Sequence, residues 1–207
     1  MKIIGLTGPT GAGKSTLCER FEKLDIPCIN TDEVYHKITS SPSPCLDELQ
    51  NAFGNKIINE NGSLNRKALA SVVFENENAE SNLSILNSIT HKYIWEETNA
   101  FLNKYKNMGK KAAVIDAPVL FSAKVFVDAC DFIISVLCDK ETRARRIVAR
   151  DCISFEQAMA RINAQPNDKF FIDNSDYYIY NTDEIDNMKK QLDSILTKEE
   201  ICAYEQE

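Results

Sequence analysis

Residues 3–16 read IIGLTGPTGAGKST, and within them Gly8 to Ser15 fits the pattern G-x-x-x-x-G-K-[ST] without a mismatch. The apolar run at residues 3–6 predicts a buried parallel strand. Lys14 to Lys23 contains no Gly or Pro, and its apolar residues recur at helical spacing: Leu17, Phe21 and, just beyond, Leu24. A strand, a glycine loop and a helix in this order are the context that the pattern requires.

The residue types in this stretch predict a site for phosphate groups. Glycine lets the chain adopt positive φ, so that backbone N–H groups turn inward at the start of a helix and bind an anion. Lys14 is expected to reach the β and γ oxygens of a nucleotide, and the Ser15 hydroxyl to ligate Mg²⁺. The residues predicted to contact the nucleotide here are Gly8, Gly11, Ala12, Gly13, Lys14, Ser15 and Thr16. The alternative is a chance glycine turn before an ordinary helix, which the flanking strand and helix disfavour.

Composition excludes several classes of protein. A formal charge of −7 over 207 residues argues against nucleic acid as a main partner, since phosphate backbones are bound by surplus Lys and Arg. The cysteines are seven, an odd number, with no C-x-x-C pair, so we expect reduced thiols and no cysteine metal site. No apolar run reaches the length of a membrane span, and the chain enters its first strand without a signal peptide. We therefore expect a cytoplasmic protein.

A second strand is predicted from Ile26 to Asn30, with Asp32 just past its end. In open α/β sheets the ligand crevice lies beyond the carboxyl ends of the strands, so this carboxylate is a candidate for the site. Thr31 or Asp32 could instead serve as the N-cap of the next helix, and the two roles are compatible.

The next region carries helical patterns only. A cluster of helix breakers occupies Ser40 to Pro44, and apolar residues then recur every three or four positions over Leu46–Phe53, Leu64–Phe74 and Glu77–Lys106. This predicts a helical insertion between the second and third strands.

Three further strands complete a five-stranded parallel sheet. They are predicted at Ala112–Ile115, Phe132–Leu137 and Tyr177–Tyr180, followed by a closing helix over Glu184–Leu196. Asp116 ends the third strand, where enzymes with this loop keep a carboxylate for Mg²⁺. It could also be a turn-forming Asp before a proline.

A basic patch lies between residues 140 and 150. Arg143, Arg146 and Arg150 are spaced i, i+3 and i+7, so they share one face of a helix, and arginine is suited to bidentate binding of phosphate. A charge run is more often only a solvated face, but beside the loop of residues 8–15 the functional interpretation is favoured. A further helix is predicted from Ser154 to Gln165.

These motifs together resemble the dephospho-CoA kinase family. The similarity continues along the chain through TDEVYH (31–36), LNRKALASVVF (64–74), IDAPVLF (115–121), RRIVARD (145–151), ARINAQ (160–165) and YYIYN (177–181). The chain departs from the family pattern at Asn30, where an aspartate is usual, and at Lys92, Ser122 and Asp183.

The resemblance implies a three-layer α/β/α P-loop NTPase fold. The core is expected at residues 1–39, 110–138 and 176–207, the acceptor-binding insertion at about 40–109 and a lid at about 139–170. The implied reaction is ATP-dependent, Mg²⁺-supported phosphorylation of the ribose 3′-hydroxyl of dephospho-CoA, the last step of coenzyme A biosynthesis, by a monomer or weak homo-oligomer.

The resemblance also implies roles for individual residues. Asp32 is expected to act as the base, and Lys14 to take part in catalysis at the nucleotide phosphates. Arg146, with Arg150 behind it, is expected to bind the nucleotide from the lid and to neutralise the charge that develops on transfer. Ser15 and Asp116 are expected to hold the metal. His91 either contacts the acceptor or is structural.

Other functions fit the sequence less well. A GTP-binding switch needs a base-recognition element of the N-K-x-D type, which the sequence lacks. A kinase of the same fold that acts on a nucleoside monophosphate or another small alcohol is disfavoured by the TDEVYH and LNRKALA motifs. A structural or interaction protein with a dead site is disfavoured by the presence of Lys14, Ser15, Asp32 and Arg146.

Overall fold

The centre of the protein is a five-stranded parallel sheet. The computed structural model describes residues 1–40, 42–75, 77–182 and 185–202. The strands are β1 (Lys2–Thr7), β2 (Cys28–Asn30), β3 (Ala112–Asp116), β4 (Phe132–Leu137) and β5 (Tyr177–Tyr180). Their order is β2-β3-β1-β4-β5, and β1 pairs in parallel with both β3 and β4. The five-stranded parallel sheet predicted from the sequence is confirmed.

Helices follow the strands as crossover connections. They are α1 (Lys14–Lys23), α2 (Thr31–Thr39), α3 (Pro44–Phe53), α4 (Arg66–Phe74), α5 (Ala79–Asn107), α6 (Lys124–Ala129), α7 (Lys140–Asp151), α8 (Phe155–Asn163), α9 (Asp168–Asp173) and α10 (Ile185–Lys198). Within the described ranges, no helix is both long enough and apolar enough to cross a membrane.

The residues form two compact units, 1–29 with 102–207 and 30–101. In the first unit, alternate residues of β1 point to opposite faces of the sheet. Ile4 and Leu6 are fully buried in a cluster with residues of α1 and α10, whereas the position of a side chain at Gly5 is filled by Leu120 and Cys130. Helical segments therefore cover both faces of the sheet, which gives the three layers that the family resemblance implied.

The second unit has its own apolar core. It combines residues of α3, α4 and α5 with a short irregular segment: Cys45, Leu46, Leu49, Ile57, Leu64, Leu69, Val73 and Ile89. These side chains are buried against one another, and Tyr35 and Ile38 of α2 pack against them. The core of this unit of about 70 residues therefore supports helix α2 at its surface.

Most predicted elements agree with the structure, and the differences have local causes. The second strand begins at Cys28, two residues later than predicted, because Pro27 has no N–H to donate to a neighbouring strand. The pattern over 77–106 gives one continuous helix, α5, because no Gly or Pro interrupts it. Two short helices, α6 and α9, were not predicted, since six residues carry too little periodicity to be recognised. The predicted start of the closing helix, Glu184, lies outside the described residues.

Candidate active site

Gly8 to Ser15, here called the phosphate loop, turns sharply between β1 and α1. Gly8, Gly11 and Gly13 have φ values of 136°, 77° and 102°, a region that L-residues with side chains rarely adopt. A Cβ at each position would also overlap a neighbour, namely the Val136 backbone, the Arg143 backbone and the Asn181 amide respectively. Glycine is therefore required at these positions both for the turn and for the close approach of other elements.

The loop delivers a lysine and two hydroxyls to the first turn of α1. Gly13 is the N-cap of the helix, and no acidic residue lies in the first turn, so the positive end of the helix dipole is not offset. Lys14 Nζ donates to the Gly8 carbonyl at 2.8 Å, which holds the ammonium group across the loop. Ser15 is exposed and Thr16 half-buried. The predicted grouping of Lys14, Ser15 and Thr16 with the glycines is present.

Three consecutive loop carbonyls accept hydrogen bonds from side chains elsewhere in the first unit. Arg143 Nε donates to Thr10 O at 2.9 Å, Arg146 Nη1 to Gly11 O at 3.0 Å and Asn181 Nδ2 to Ala12 O at 2.8 Å. We call Arg143, Arg146 and Asn181 the carbonyl anchors. Sequence reasoning gave Asn181 no role, although it ends the quoted motif YYIYN at the tip of β5.

Gln165 was also missed by sequence reasoning. Its Oε1 accepts both the Thr10 N–H, at 3.0 Å, and Arg143 Nη2, at 3.1 Å. The peptide groups on both sides of Thr10 are thus fixed by one amide and one guanidinium. The only sequence signal was its place at the end of the quoted motif ARINAQ.

The three arginines predicted to bind phosphate from one face of α7 have different partners in the structure. Arg143 is 2% exposed, and burial lowers the pKa of its guanidinium, which nevertheless stays charged. Arg146 is also held at the loop, as described above. Arg150 lies one turn further along α7, and its guanidinium donates to Asp151 at 2.7 and 3.0 Å, a bond that raises the pKa of Arg150. The structure therefore brings two of the three to the loop backbone.

Asp116 is the last residue of β3 and is 5% exposed. It pairs in register with Leu6, two residues before the loop begins. Its carboxylate also lies close enough to Cys18, one turn after Lys14 on α1, to contribute to the raised pKa of that thiol, after the larger effects of the Cys28 hydrogen bond and burial. Asp116 is thus near Cys18 on α1, three residues after Ser15.

Asp32 belongs to the second unit and lies exposed in the first turn of α2. The sequence alternative that Thr31 or Asp32 caps this helix is wrong. Asn30 is the N-cap, and its Oδ1 accepts the N–H groups of Asp32 and Glu33 at 2.9 and 3.0 Å. Asn30 therefore supplies the oxygen acceptor that the start of this helix needs.

A pocket of about 590 Å³ lies on the second unit, here called the α2 pocket, lined by Asp32, Glu33, Tyr35, His36, Lys37 and Arg66. The Arg66 guanidinium lies over the Tyr35 ring, 5.7 Å from its centroid. His36 Nδ1 is 2.7 Å from the Ser40 hydroxyl. His91, on α5, has its pKa lowered by burial. The α2 pocket therefore places two carboxylates, Asp32 and Glu33, beside three basic side chains, those of His36, Lys37 and Arg66.

The residues of the phosphate loop, together with Asp116, fit a nucleoside triphosphate with Mg²⁺. The loop turns at three glycines where a Cβ would overlap neighbouring protein atoms, and it leads into the uncompensated N-terminus of α1. A serine hydroxyl and an aspartate are the hard oxygen donors that Mg²⁺ prefers, and this ion usually takes only one or two protein ligands beside phosphate and water. Among the described residues no group of three or more His, Cys, Asp and Glu could hold a metal by itself.

The fold and the loop define the class: a protein built on the P-loop NTPase fold. A solved shikimate kinase from Acinetobacter baumannii shares this fold, with a TM-score of 0.53 and 15% identity over 96% of this chain and 94% of that one. The solved dephospho-CoA kinase from Campylobacter jejuni is nearer, with a TM-score of 0.67 and 24% identity, covering 96% of this chain and 97% of that one.

Sequence comparison narrows the class to a family. The family model described as "Dephospho-CoA kinase" matches residues 2–187. A curated dephospho-CoA kinase from Bacillus cereus is 36% identical over 196 residues, which is 95% of this chain and 96% of that protein. The chain belongs to the dephospho-CoA kinase family, and the resemblance noted from its motifs is confirmed.

Proposed function

We propose that the chain transfers the γ-phosphoryl group of ATP to the 3′-hydroxyl of the ribose of dephospho-CoA, giving coenzyme A and ADP. The observation that carries the proposal is a phosphate loop complete in sequence and backbone geometry, within a chain that belongs to this kinase family over residues 2–187.

The donor half of the reaction belongs to the first unit. The loop N–H groups and Lys14 bind the phosphates, and Ser15 with Asp116 holds Mg²⁺. When bound, this ion offsets negative charge on the phosphates. Lys14 already lies across the loop on the Gly8 carbonyl, so it reaches a phosphate by exchanging one acceptor for another.

Asp32 prepares the acceptor. Its carboxylate is exposed in the first turn of α2, and it accepts or orients the proton of the attacking hydroxyl. Because Asn30 supplies the cap, this role does not compete with helix stability.

The α2 pocket suits the anionic part of the acceptor. Dephospho-CoA carries a pyrophosphate, and Arg66 offers a planar guanidinium that binds phosphate oxygens in pairs. The Tyr35 ring below it limits the positions that this long side chain can take. We assign acceptor binding to the second unit on this basis, and Arg66 is the contribution of the helical insertion predicted at about 40–109.

Arg146 supports transfer from the segment assigned as the lid, about 139–170. It stabilises charge on the transferred group, with Arg150 further along the same helix as a second contact to the nucleotide. A phosphoryl-transfer site must exclude water, so we propose that this segment closes when the acceptor is bound. We further propose a monomer or weak homo-oligomer located in the cytoplasm.

A coupled assay of ADP release tests the proposal. Dephospho-CoA is compared as acceptor with AMP, adenosine and pantetheine at equal concentrations, and the position of the new phosphate is read by ³¹P NMR. We expect rapid turnover with dephospho-CoA and product carrying a 3′-phosphate. ATP consumption that is independent of dephospho-CoA, or a phosphate on another atom, would overturn the proposal.

A further inference from the structure

Each peptide unit in the phosphate loop has a direction that its carbonyl partner determines. Because the peptide group is planar and trans, a carbonyl and the N–H of the following residue point in opposite directions. Arg143 holds the Thr10 carbonyl and therefore sets the direction of the Gly11 N–H. Asn181 holds the Ala12 carbonyl and so sets the direction of the Gly13 N–H.

The remaining anchor has a different consequence. Arg146 holds the Gly11 carbonyl, and the opposed N–H, that of Ala12, closes a turn onto the Pro9 carbonyl at 3.3 Å. Arg143 and Asn181 therefore direct the Gly11 and Gly13 N–H groups away from their own side chains.

Both anchors act from buried positions, where neighbouring atoms restrict the conformations of their side chains. Arg143 is 2% exposed and Asn181 4% exposed. Asn181 is also tied to the sheet, because its own N–H donates to Leu137 O at 2.8 Å. Gln165 fixes Arg143 through its Nη2 and fixes the Thr10 N–H at the same time.

We propose that Arg143, Gln165 and Asn181 are positioning residues that orient the Gly11 and Gly13 N–H groups toward the phosphates of the nucleotide. None of the three needs to touch the nucleotide. The proposal rests on the proposed function only in requiring that the loop binds a nucleotide, and it makes no use of the acceptor.

The hydrogen bonds give the two amides opposite chemical roles. Gln165 Oε1 faces two donors, so Gln165 acts as an acceptor, and a carboxylate of the same shape can replace it. Asn181 Nδ2 faces a carbonyl, so Asn181 acts as a donor. A carboxylate at this position would place an acceptor oxygen against the carbonyl oxygen of Ala12, which is also an acceptor. The same amide-to-carboxylate change should therefore be tolerated at one position and not at the other.

The experiment compares Gln165→Glu, Gln165→Met and Asn181→Asp by calorimetric titration with Mg·ADP, in the absence of any acceptor. Asn163→Asp is the matched control, because this exposed amide accepts a hydrogen bond from Lys140 and has no described contact with the loop. We expect Gln165→Glu and Asn163→Asp to bind within about twofold of the unchanged protein. Gln165→Met and Asn181→Asp should weaken binding at least about tenfold, and KM for ATP should rise in parallel while KM for the acceptor stays constant.

A loss of folding is separated from a loss of positioning. Thermal unfolding of each variant is recorded, and Asn181→Ala, which removes the donor without adding charge, replaces Asn181→Asp if that variant does not fold. Unchanged Mg·ADP binding by a folded Asn181 variant overturns the proposal. So does an equal loss in Gln165→Glu and Gln165→Met, since the role of Gln165 would then not be that of an acceptor. Failure of the proposed acceptor chemistry would leave these binding results unaffected.

Discussion

We propose that the phosphate loop and the α2 pocket recognise phosphate by different means. In the loop, the groups proposed to bind phosphate are backbone N–H groups together with Lys14, and side chains from α7 and from the end of β5 hold the loop carbonyls from behind. In the α2 pocket the recognising groups are side chains, and both Asp32 and Arg66 are exposed.

This difference explains how each region depends on sequence. A backbone site requires particular glycines, because any Cβ would overlap a neighbour, and the pattern is therefore rigid. A side-chain site can be built from several residue types, as long as their charges suit the ligand. A change in the loop should thus affect transfer itself, whereas a change in the pocket wall should affect mainly acceptor affinity.

The largest effect is expected for Lys14→Met, which removes the charge that lies across the loop. We expect kcat/KM to fall about 10³-fold, or about 4 kcal/mol, because a preorganised charge at a phosphoryl-transfer site contributes on this scale. Steady-state kinetics with ATP and dephospho-CoA measure this. Lys23→Met, at the exposed far end of the same helix, is the control. A comparable loss in both variants would contradict the assignment.

Asp32→Asn should give the next largest effect, and it probes the one residue of the pocket that is assigned to chemistry. We expect kcat to fall about 10²-fold or more, the usual contribution of a general base, with Mg·ADP binding unchanged. Asp47→Asn is the control, since Asp47 is an exposed carboxylate in the first turn of α3. Unchanged turnover in Asp32→Asn would refute the base assignment.

The fold and the loop could be predicted from the sequence because their signals are local. Glycine spacing, an apolar strand and a following helix are local signals, and the structure places Gly8, Gly11, Gly13, Lys14 and Ser15 together as predicted. Asp116 could be placed because the carboxyl end of a parallel strand has a known relation to its neighbour.

The carbonyl anchors could not be predicted in the same way. Arg143 and Asn181 are 133 and 169 residues from their partners in the loop, and no local pattern connects residues so distant. Helical spacing indicated correctly that Arg143 and Arg146 lie on one face of α7, but it could not show that one is buried and both hold backbone carbonyls.

Arg146→Ala sharpens the comparison, because Arg146 both holds the loop and is proposed to act on the transferred group. We expect kcat to fall about 10²-fold, the scale for one lost electrostatic contact in the transition state. Arg145→Ala removes an exposed arginine that pairs with Glu141 and is the control. An effect on acceptor KM alone would mean that Arg146 has no part in transfer.

Arg66→Met is expected to act on affinity. Loss of the guanidinium over Tyr35 should raise KM for dephospho-CoA about tenfold, since hydrogen bonds to charged groups contribute about 1.5–3 kcal/mol each, and kcat should change little. Initial rates at saturating ATP measure both. Lys67→Met removes the adjacent exposed cation, which does not line the pocket. A loss of kcat at constant KM would show that the pocket takes part in transfer and would break the distinction drawn above.

The smallest effect concerns Asn30, where the family usually has an aspartate. Asn30→Ala removes the oxygen that accepts two N–H groups of α2 and should lower the free energy of unfolding by about 1 kcal/mol, measured by urea denaturation. Asn30→Asp keeps that oxygen and adds a negative charge at the positive end of the helix, so stability should be equal or slightly higher. Turnover of Asn30→Asp should stay within about twofold, because the contacts of residue 30 with α2 are those of a cap. A rise of tenfold or more would mean that a carboxylate at this position belongs to the chemistry, and that the pocket, like the loop, has a fixed requirement that this chain only partly meets.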